Sequence, residues 1–471
     1  MIKIKDYNLD DTIAAIATFP SKSALGVVKI SGKKSFFIIS RIFKPRRKKN
    51  IRKVKSYTLH YGWIKENLKN KAGKKRKDLL VDEVLVSVMR KPYSYTKEDV
   101  IEISSHGGTV VLNKILNIIL SQGARLALPG EFTYRALMNG RIDLLQAESI
   151  SGLVEAKTEQ SLYQAISQLK GEASAKVSKI KEEIKEIFIQ TESIMNFPEA
   201  EIDISLNNLK AKIISLIKET GRLSKGADEA KIMLEGFRCV ICGKANVGKS
   251  TLFNRLLREQ RAIVSRFPGT TRDVIEESIN IKGIPLRIYD TAGILEPKDI
   301  ITKEAVSRAY DIFQQADLVI LMLDGSKPLS KDDLLLLDKT KTKNMILVIN
   351  KSDLTQRLDL KKVFPIKSPI VRISALKNKG LNEFEKVIYH KVHKDSFDRE
   401  HIIFLNQYQQ ETLRKVEQGL KEIILFLQEG CTLDFINIAL KDCLDNLGKL
   451  NGEVFSEEIL ENIFSNFCIG K

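Results

Sequence analysis

The segment GKANVGKS, Gly243–Ser250, follows a short apolar run and precedes a helical pattern at Thr251–Leu257. A buried strand, a glycine-rich loop and a helix in this order form the context that a phosphate-binding loop requires. The backbone N–H groups of such a loop close around a β-phosphate, helped by the helix N-terminus. We expect Lys249 to reach the β- and γ-phosphates and Ser250 to bind Mg²⁺. The nucleotide-binding residues expected here are Asn246, Val247, Gly248, Lys249, Ser250 and Thr251.

Four further short motifs follow this loop in the order that guanine-nucleotide-binding domains use. They are GTTRD (Gly269–Asp273), DTAG (Asp290–Gly293), NKSD (Asn350–Asp353) and SAL (Ser374–Leu376). Each follows a candidate strand or lies in a connecting loop, as the chemistry of the site requires. Five motifs in this order predict a complete GTP site.

The NKSD motif indicates guanine rather than adenine. A carboxylate at Asp353 can accept hydrogen bonds from both N1–H and the exocyclic amine of guanine, which adenine cannot match. A site built for those donors rejects the wrong base strongly. The base-binding residues expected from NKSD and SAL, the latter acting through backbone N–H groups, are Asn350, Lys351, Asp353, Ser374, Ala375 and Leu376.

The GTTRD and DTAG motifs predict contacts to Mg²⁺ and the γ-phosphate. Asp290 follows an apolar strand, where a carboxylate can hold the Mg²⁺ shell. Thr271 is the expected Mg²⁺ ligand and Thr270 a backbone neighbour of the phosphates, in a loop that γ-phosphate could order. DTAG adds Thr291, Ala292 and Gly293 to the expected nucleotide site.

The residue after DTAG is Ile294. An apolar side chain cannot orient an attacking water, so the hydrolytic group must come from elsewhere. The amide oxygen of Asn246 is suitably placed for a monovalent cation, and K⁺ there would supply the positive charge that an arginine finger supplies in other GTPases. Asn246 as a simple loop-forming residue is the alternative, and the sequence leaves both open.

The chain outside this domain predicts two further domains. Residues 1–125 alternate short strands with one apolar-faced helix, Thr109–Leu120, which indicates an α+β domain. Residues 126–234 and 391–471 carry helical periodicity, including a predicted helix Ile402–Phe426. Neither helical piece can bury its apolar face alone. We therefore expect one discontinuous helical domain, with an α/β GTPase domain at residues 235–390 inserted into it.

Composition suggests where the protein acts and what it binds. The net charge is +18, and residues 41–77 hold 16 Lys or Arg and a single acid, Glu66. This segment predicts an RNA contact; a solvated lysine-rich insertion is the alternative. No apolar run approaches the ~18 residues of a membrane span and no signal peptide opens the chain, so we expect a cytoplasmic protein without membrane contact. Cys239 and Cys242 are expected to be buried on opposite faces of one strand rather than to bind zinc.

Several blocks of sequence resemble the tRNA modification GTPase family called MnmE or TrmE. The blocks are DTIAAIATFPSKSALGVVKISG (Asp11–Gly32), SYTKEDVIEISSHGG (Ser94–Gly108), LPGEFTYRALMNGRIDLLQAE (Leu128–Glu148) and the terminal FCIGK (Phe467–Lys471). The resemblance covers essentially the whole chain. It implies a multidomain α/β and α+β protein in which a P-loop GTPase domain is inserted in a helical domain and preceded by an α+β tetrahydrofolate-binding domain.

The resemblance also implies an activity and partners. The family adds a carboxymethylaminomethyl or aminomethyl group to C5 of the wobble uridine of certain tRNAs, together with an FAD-dependent protein called MnmG or GidA. The one-carbon unit comes from a tetrahydrofolate derivative (5-formyl or 5,10-methylene) bound by the N-terminal domain, which also forms a homodimer. K⁺-dependent dimerisation of the GTPase domains precedes hydrolysis.

Carried over residue by residue, the resemblance implies two ligand sets. The folate pocket would use Lys29, Glu102, Arg141 and Lys471, and the K⁺ site Asn246, Ser265, Phe267 (backbone) and Thr270. Lys29 stands where the family commonly has arginine, and Arg141 stands where it commonly has lysine. Both positions keep a positive charge, but the hydrogen-bonding geometry of the side chain is not preserved. The family glutamate that orients the hydrolytic water is replaced by Thr302, which leaves the catalytic group open. Cys468 matches a C-terminal cysteine of the family.

A regulatory RNA-binding GTPase of the ribosome-assembly type, without folate chemistry, is the alternative function. The basic segment and Thr302 are compatible with it. Glu102, PGEFT and FCIGK argue against it, since such a switch does not need them.

Overall fold

A computed structural model shows the chain as a series of sheets and helices. It describes residues 7–19, 21–47, 50–66, 79–156, 158–196, 206–260, 276–282, 284–290, 311–359, 368–392 and 403–453, together with residues 460, 464, 467 and 470. By their contacts the residues form two compact units. One unit comprises residues 1–151, 169–216 and 406–471, and the other residues 152–168 and 217–405.

The first unit contains a seven-stranded sheet with strand order β3-β4-β5-β6-β2-β1-β7. Only the β1–β7 pair is parallel; the other neighbours are antiparallel. The strands are β1 Ile13–Ile16, β2 Leu25–Ser31, β3 Phe43–Pro45, β4 Thr58–Glu66, β5 Leu79–Met89, β6 Val100–His106 and β7 Arg125–Leu126. The alternation of buried and exposed side chains along them confirms the α+β prediction for this part of the chain.

Two helices, α1 (Ser35–Ile42) and α2 (Thr109–Ser121), pack on one face of this sheet. The sequence predicted α2 but not α1. The run SFFIISRI has the apolar, aromatic and β-branched composition of a strand, and it is too short to display a helical period. It forms a helix because Phe36, Ile38, Ile39 and Ile42 bury against the sheet core.

The second unit contains the α/β sheet that carries the phosphate-binding loop. Its order is β13-β12-β11-β8-β10-β9, and all neighbours are parallel except β10 and β9. The strands are β8 Phe237–Cys242, β9 Glu276–Ile281, β10 Ile284–Asp290, β11 Leu318–Asp324, β12 Met345–Asn350 and β13 Ile370–Arg372. Because β8, β11 and β12 are parallel, the loops that follow them meet at one edge of the sheet.

The central strand β8 confirms the reading of the two cysteines. Cys239 packs in the apolar cluster on one face of the sheet and Cys242 in the cluster on the other. Burial raises the pKa of both thiols, which keeps them protonated. They are small apolar residues of the core.

Helices account for most of the remaining chain. Gly171, with φ +93°, separates the helix that ends at Leu169 from the helix that begins at Glu172. The second of these helices buries a stripe of apolar residues, Val177, Ile180, Ile184 and Ile187, to which Leu169 does not belong. The described helices from residue 131 on are α3 Glu131–Met138, α4 Leu144–Glu155, α5 Glu159–Leu169, α6 Glu172–Asn196, α7 Leu206–Glu235, α8 Lys249–Gln260, α9 Lys331–Thr340, α10 Leu381–Val392, α11 Gln407–Glu429 and α12 Leu433–Asn451.

The predicted start of a helix at Ile402 is wrong. Residues 403–406 are not helical, and Asn406 caps α11 by accepting from the Gln409 N–H, while the Gln409 side chain accepts from the Asn406 N–H. This reciprocal pair fixes the N-terminus of α11. In the first unit, α6 and α12 pack together, with Thr191 hydrogen-bonded to Asn437.

None of the helices within the described ranges is both long and apolar enough to cross a membrane.

Candidate functional sites

A cavity of about 550 Å³ opens at the loop edge of the α/β sheet. Its lining comes from three of the predicted motifs: Ala245, Asn246, Gly248, Lys249, Ser250, Thr251, Asn350, Lys351, Asp353, Leu354, Ser374 and Leu376. Its volume falls in the range of nucleotide and other small-molecule sites, roughly 300–1,000 Å³. The fold therefore brings GKANVGKS, NKSD and SAL to one cavity.

Two glycines of the loop have no room for a side chain. Gly243 has φ +148°, and a Cβ there would lie 2.5 Å from the Met322 carbonyl oxygen. Gly248 has φ +103°, and a Cβ there would lie 2.2 Å from Asn350 Nδ2. The spacing of the glycines in GKANVGKS thus follows from backbone contacts with β11 and β12 as well as from ligand binding.

Lys249 is buried beneath the loop that precedes it. Its Nζ donates to the carbonyl oxygens of Gly243 and Lys244, both at 2.7 Å. The ammonium group therefore lies inside the curve of the loop, where a phosphate would place its oxygens. Ser250 is the second residue of α8 and also lines the cavity.

Asn350 connects all three motifs. Its Nδ2 donates to the Val247 carbonyl oxygen at 2.7 Å, and its Oδ1 accepts from the Ala375 N–H at 3.0 Å. The side chain is buried, so both of these bonds are shielded from water. The sequence placed Asn350 in the base site but gave no sign that it also ties the loops together. The Ala375 N–H, expected to support the base, is engaged by this amide.

Asp353 is exposed at the rim of the cavity. The Ser374 hydroxyl beside the carboxylate holds the pKa of Asp353 below its ordinary value. The group is therefore ionised at neutral pH and can only accept hydrogen bonds. Guanine presents two adjacent donors, N1–H and the exocyclic amine, to an acceptor of this kind.

Lys351 and Asp324 form an ion pair with a separation of 2.7 Å between β11 and the NKSD loop. Burial opposes ionisation of Asp324, but hydrogen bonds from Lys351 and Ser326 lower its pKa below the ordinary value. Lys351 has φ +63°. The pair fixes the backbone of the motif immediately before Asp353.

Asn246 adopts a left-handed backbone conformation, with φ +62°, at the exposed tip of the loop. Asparagine tolerates this region better than most residues. The geometry is therefore consistent with both functions that the sequence left open, a loop-forming residue and a cation ligand.

Several predicted residues lie outside the described part of the chain. They are Ser265, Phe267, Thr270, Thr271, Thr291, Ala292, Gly293, Thr302, Cys468 and Lys471. Asp290 is described as the last residue of β10.

The first unit brings Lys29 and Glu102 together. They are directly opposite in the β2–β6 register, and Lys29 Nζ lies 3.5 Å from Glu102 Oε1. Both side chains point away from the face that α1 and α2 cover, because alternate residues of β2 and β6 form the core on that side. Lys29 is also opposite Ala15 of β1.

Arg141 is placed on the same side of the sheet by its contact with the aromatic ring of Tyr95. Its guanidinium carbon lies 4.7 Å from the centre of the Tyr95 ring. Tyr95 packs against a small cluster that includes Ala15 and Phe132, and Ala15 shares its face of the sheet with Lys29. The structure therefore brings three of the four predicted folate residues to one side of the β6-β2-β1 segment.

Two described residues of the FCIGK segment, Phe467 and Gly470, pack on the first unit. A Cβ on Gly470, which has φ +96°, would lie 2.7 Å from the Ile16 carbonyl oxygen at the end of β1. Phe467 packs with Tyr134 and Phe464, next to the PGEFT segment. Lys471 itself is outside the described residues. Its neighbour Gly470 lies beside β1, and β1 pairs with β2, the strand that carries Lys29.

The signature LPGEFTYRA contains a buried ion network that the sequence did not reveal. Arg135 and Glu131 are both inaccessible to solvent and paired at 3.0 Å, and Arg135 also pairs with Glu98 at 3.0 Å. Arg125 pairs with Glu131 at 2.7 Å. Arginine is almost never fully buried unless it is paired. The residue type alone therefore gave no reason to expect Arg135 in the core. These charges fix α3 to the 94–99 loop that carries Tyr95.

Comparison with known proteins yields matches over nearly the whole chain. Residues 144–468 match the family model of the MnmE helical domain, and residues 12–141 that of the GTP-binding protein TrmE N-terminus. The chain is 42% identical over 467 residues to the tRNA modification GTPase MnmE of Clostridioides difficile, covering 98% of this chain and 100% of that protein. It is 40% identical over 465 residues to the one of Thermoanaerobacter pseudethanolicus, covering 98% and 99%. A solved structure of Era from Aquifex aeolicus is 31% identical over 39% of this chain and 66% of that one, with a TM-score of 0.27.

Proposed function

The chain belongs to the tRNA modification GTPase family MnmE, and on that basis we propose that it modifies the wobble uridine of certain tRNAs at C5. In this proposal it hydrolyses GTP within a complex with the FAD-dependent protein MnmG. The group added is carboxymethylaminomethyl or aminomethyl. The observation that supports the proposal is the presence of two candidate sites in one chain, a guanine-nucleotide cavity and the Lys29–Glu102 pair on the open face of the first unit's sheet.

The nucleotide cavity supports GTP as the substrate. Lys249 provides a buried ammonium group within the phosphate loop, and Asp353 an ionised acceptor for guanine. Ser250 and Thr271 would hold Mg²⁺, whose charge stabilises the phosphates. Asn246, Ser265, the Phe267 backbone and Thr270 would hold K⁺, which would add a second positive charge at the same place. Asn246 and Ser250, the two of these within the described residues, both line the cavity.

Two substitutions of Asn246 distinguish a cation ligand from a residue that only forms the loop. Asn246→Gly keeps the left-handed backbone available but removes the amide oxygen, whereas Asn246→Ala removes the oxygen and strains the backbone. If the amide binds K⁺, we expect both variants to lose at least ~10-fold of the K⁺ stimulation of GTP turnover. GTP affinity of Asn246→Gly should stay within about threefold, as measured by titration. Turnover is compared in K⁺ and Na⁺ at equal ionic strength. Full K⁺ stimulation in Asn246→Gly would show that the residue only shapes the loop.

The pocket of the first unit supports a folate derivative. Lys29 and Arg141 supply positive charge for the folate carboxylates, and Glu102 supplies an acceptor for the amino and N–H donors of the pterin. Lys29 and Glu102 are half-buried on the side of the sheet left open by α1 and α2. Bound tetrahydrofolate would carry the one-carbon unit.

Removal of Lys471 is expected to weaken folate binding about 10- to 100-fold. A charge-assisted hydrogen bond contributes about 1.5–3 kcal/mol, and Gly470, the residue before Lys471, lies beside the end of β1. The measurement is calorimetric titration with 5-formyl-tetrahydrofolate. Lys471→Arg is the matched control and should retain most of the affinity. Unchanged binding after removal of Lys471 would count against this pocket.

The uncovered sheet face also supports the proposed homodimer. Leu59, Tyr61 and Leu85 are neighbours on β4 and β5, on the side away from α1 and α2, and they are 66%, 39% and 45% exposed. A second copy would cover this apolar surface. A cytoplasmic location accords with the proposed action on tRNA.

A further inference from the structure

The first unit carries a dense positive surface beside β3. We propose that the exposed cations of residues 41–55, together with Phe37, form a binding surface for the sugar–phosphate backbone of tRNA. The proposal rests on the tRNA role proposed above and adds where the RNA is held. We call this region the basic surface; its exposed members are Arg41, Lys44, Arg46, Arg47, Arg52, Lys53 and Lys55.

The segment that forms the basic surface contributes no acidic residue of its own, and Glu83, bonded to Tyr61 beside Arg46, comes from β5. The sequence contains no Asp or Glu from Lys33 to Lys65. Arg47, Lys53 and Lys55 take part in no ion pair among the described residues. Several uncompensated cations close together create a field that attracts polyanions and releases counterions when one binds.

Anchoring of the backbone distinguishes this surface from a solvated lysine-rich insertion. The Arg90 guanidinium donates to the Val54 carbonyl oxygen at 2.9 Å and to the Arg52 carbonyl oxygen at 2.6 Å. Asn50 caps the turn Ile51–Lys53, whose Ile51 is buried in the sheet core. A segment whose only task is solubility needs no such contacts. Here they hold the cations in fixed positions, which reduces the entropy lost on binding.

Arginine and aromatic side chains are interleaved within the surface. The guanidinium carbons of Arg41 and Arg52 lie 4.1 and 5.1 Å from the centre of the Phe37 ring, and Arg52 Nε donates to Ser40 Oγ at 3.1 Å. Phe37 is 37% exposed. Paired guanidinium groups suit phosphate oxygens, and aromatic and guanidinium planes can stack on unpaired bases.

The position of the surface favours RNA over an anionic membrane. The apolar side of α1 is buried against the sheet, so this helix has no free apolar face to insert into lipid. Arg41 and Arg52 lie on the helix-covered side, where both contact Phe37, and Arg46 lies at the β3 edge over the ring of Tyr61. Glu102 on β6 is three strands from β3, roughly 14 Å away at the usual strand spacing.

The test compares two triple variants of the full-length protein with equal loss of charge. Arg47→Gln with Lys53→Gln and Lys55→Gln removes three cations of the surface. The control replaces Lys179, Lys185 and Lys421, each of which already pairs with a carboxylate, by Gln. Binding of purified tRNA is measured by fluorescence anisotropy at several salt concentrations, and binding to phosphatidylserine vesicles in parallel. GTP turnover, expected to be equal in both variants, shows that each is folded.

We expect the surface variant to bind tRNA roughly 30-fold more weakly at about 0.15 M salt, with a slope of log affinity against log salt smaller by about 2–3. The control should change affinity less than about threefold. Equal affinity of the surface variant and the parent, an equal loss in the control, or a loss confined to the vesicles would overturn the basic surface while leaving the proposed function standing. Failure of the parent protein to bind tRNA at all would overturn the basic surface as well, whereas the proposed function is tested separately by the modified nucleosides of tRNA.

Discussion

Asp353→Asn is expected to weaken GTP binding by roughly 10³-fold or more, because a site built for two guanine donors loses one acceptor and gains a donor in its place. In the structure, Asp353 lies at the cavity rim with its carboxylate beside the Ser374 hydroxyl. Xanthine carries a carbonyl oxygen where guanine carries its amine. The asparagine N–H can donate to that oxygen, so the variant should prefer xanthosine triphosphate.

The measurement is calorimetric titration of parent and variant with both nucleotides. Asp338→Asn is the matched control, since Asp338 is exposed on α9 and pairs only with Lys341 among the described residues. It should leave GTP affinity unchanged. Undiminished GTP binding by Asp353→Asn, with no gain for xanthosine triphosphate, would show that Asp353 does not read the base.

Arg135→Met is expected to lower the free energy of unfolding of the N-terminal domain by about 3–5 kcal/mol, since Glu98 loses its guanidinium partner and the buried Glu131 keeps only Arg125. Arg135 is inaccessible to solvent and donates to Glu131, Glu98 and the carbonyl oxygens of Asn8 and Asp11. Methionine matches its apolar stem but supplies none of these donors.

Urea unfolding followed by tryptophan fluorescence measures this change. The chain has one tryptophan, Trp63 on β4, so its fluorescence reports on the same domain. Lys33→Met breaks the exposed pair with Asp10 and should change the stability far less, because water and salt screen an exposed pair. Adding Glu98→Gln to Arg135→Met should recover part of the loss, because it removes one unpaired buried charge. Equal stability of Arg135→Met and Lys33→Met would contradict a structural role for the network.

Much of the α/β sheet could be predicted because its strands are short apolar runs bounded by recognisable motifs. The short apolar run before GKANVGKS forms β8, and the apolar residues before NKSD form β12. The family likewise was accessible from sequence, since the quoted blocks span nearly the whole chain. In these segments the residues that form the element or the motif are adjacent in sequence, so they can be recognised without knowledge of tertiary contacts.

Features that depend on tertiary contacts could not be predicted. Helix α1 exists because the sheet offers a surface for its apolar residues, and its sequence alone favours a strand. The roles of Arg135 and Asn350 depend on partners far away in the chain: Glu98 for the first, Val247 for the second. A charged or amide side chain in sequence gives no sign that it will be buried with a partner.

The most direct test of the account compares the modified nucleosides of tRNA from cells with and without this gene. We expect the carboxymethylaminomethyl or aminomethyl group at C5 of the wobble uridine to disappear without the gene. It should return when the unaltered gene is restored, but not when Asp353→Asn is supplied instead. Identical wobble-uridine profiles in the presence and absence of the gene would contradict the proposed function and favour a regulatory RNA-binding GTPase.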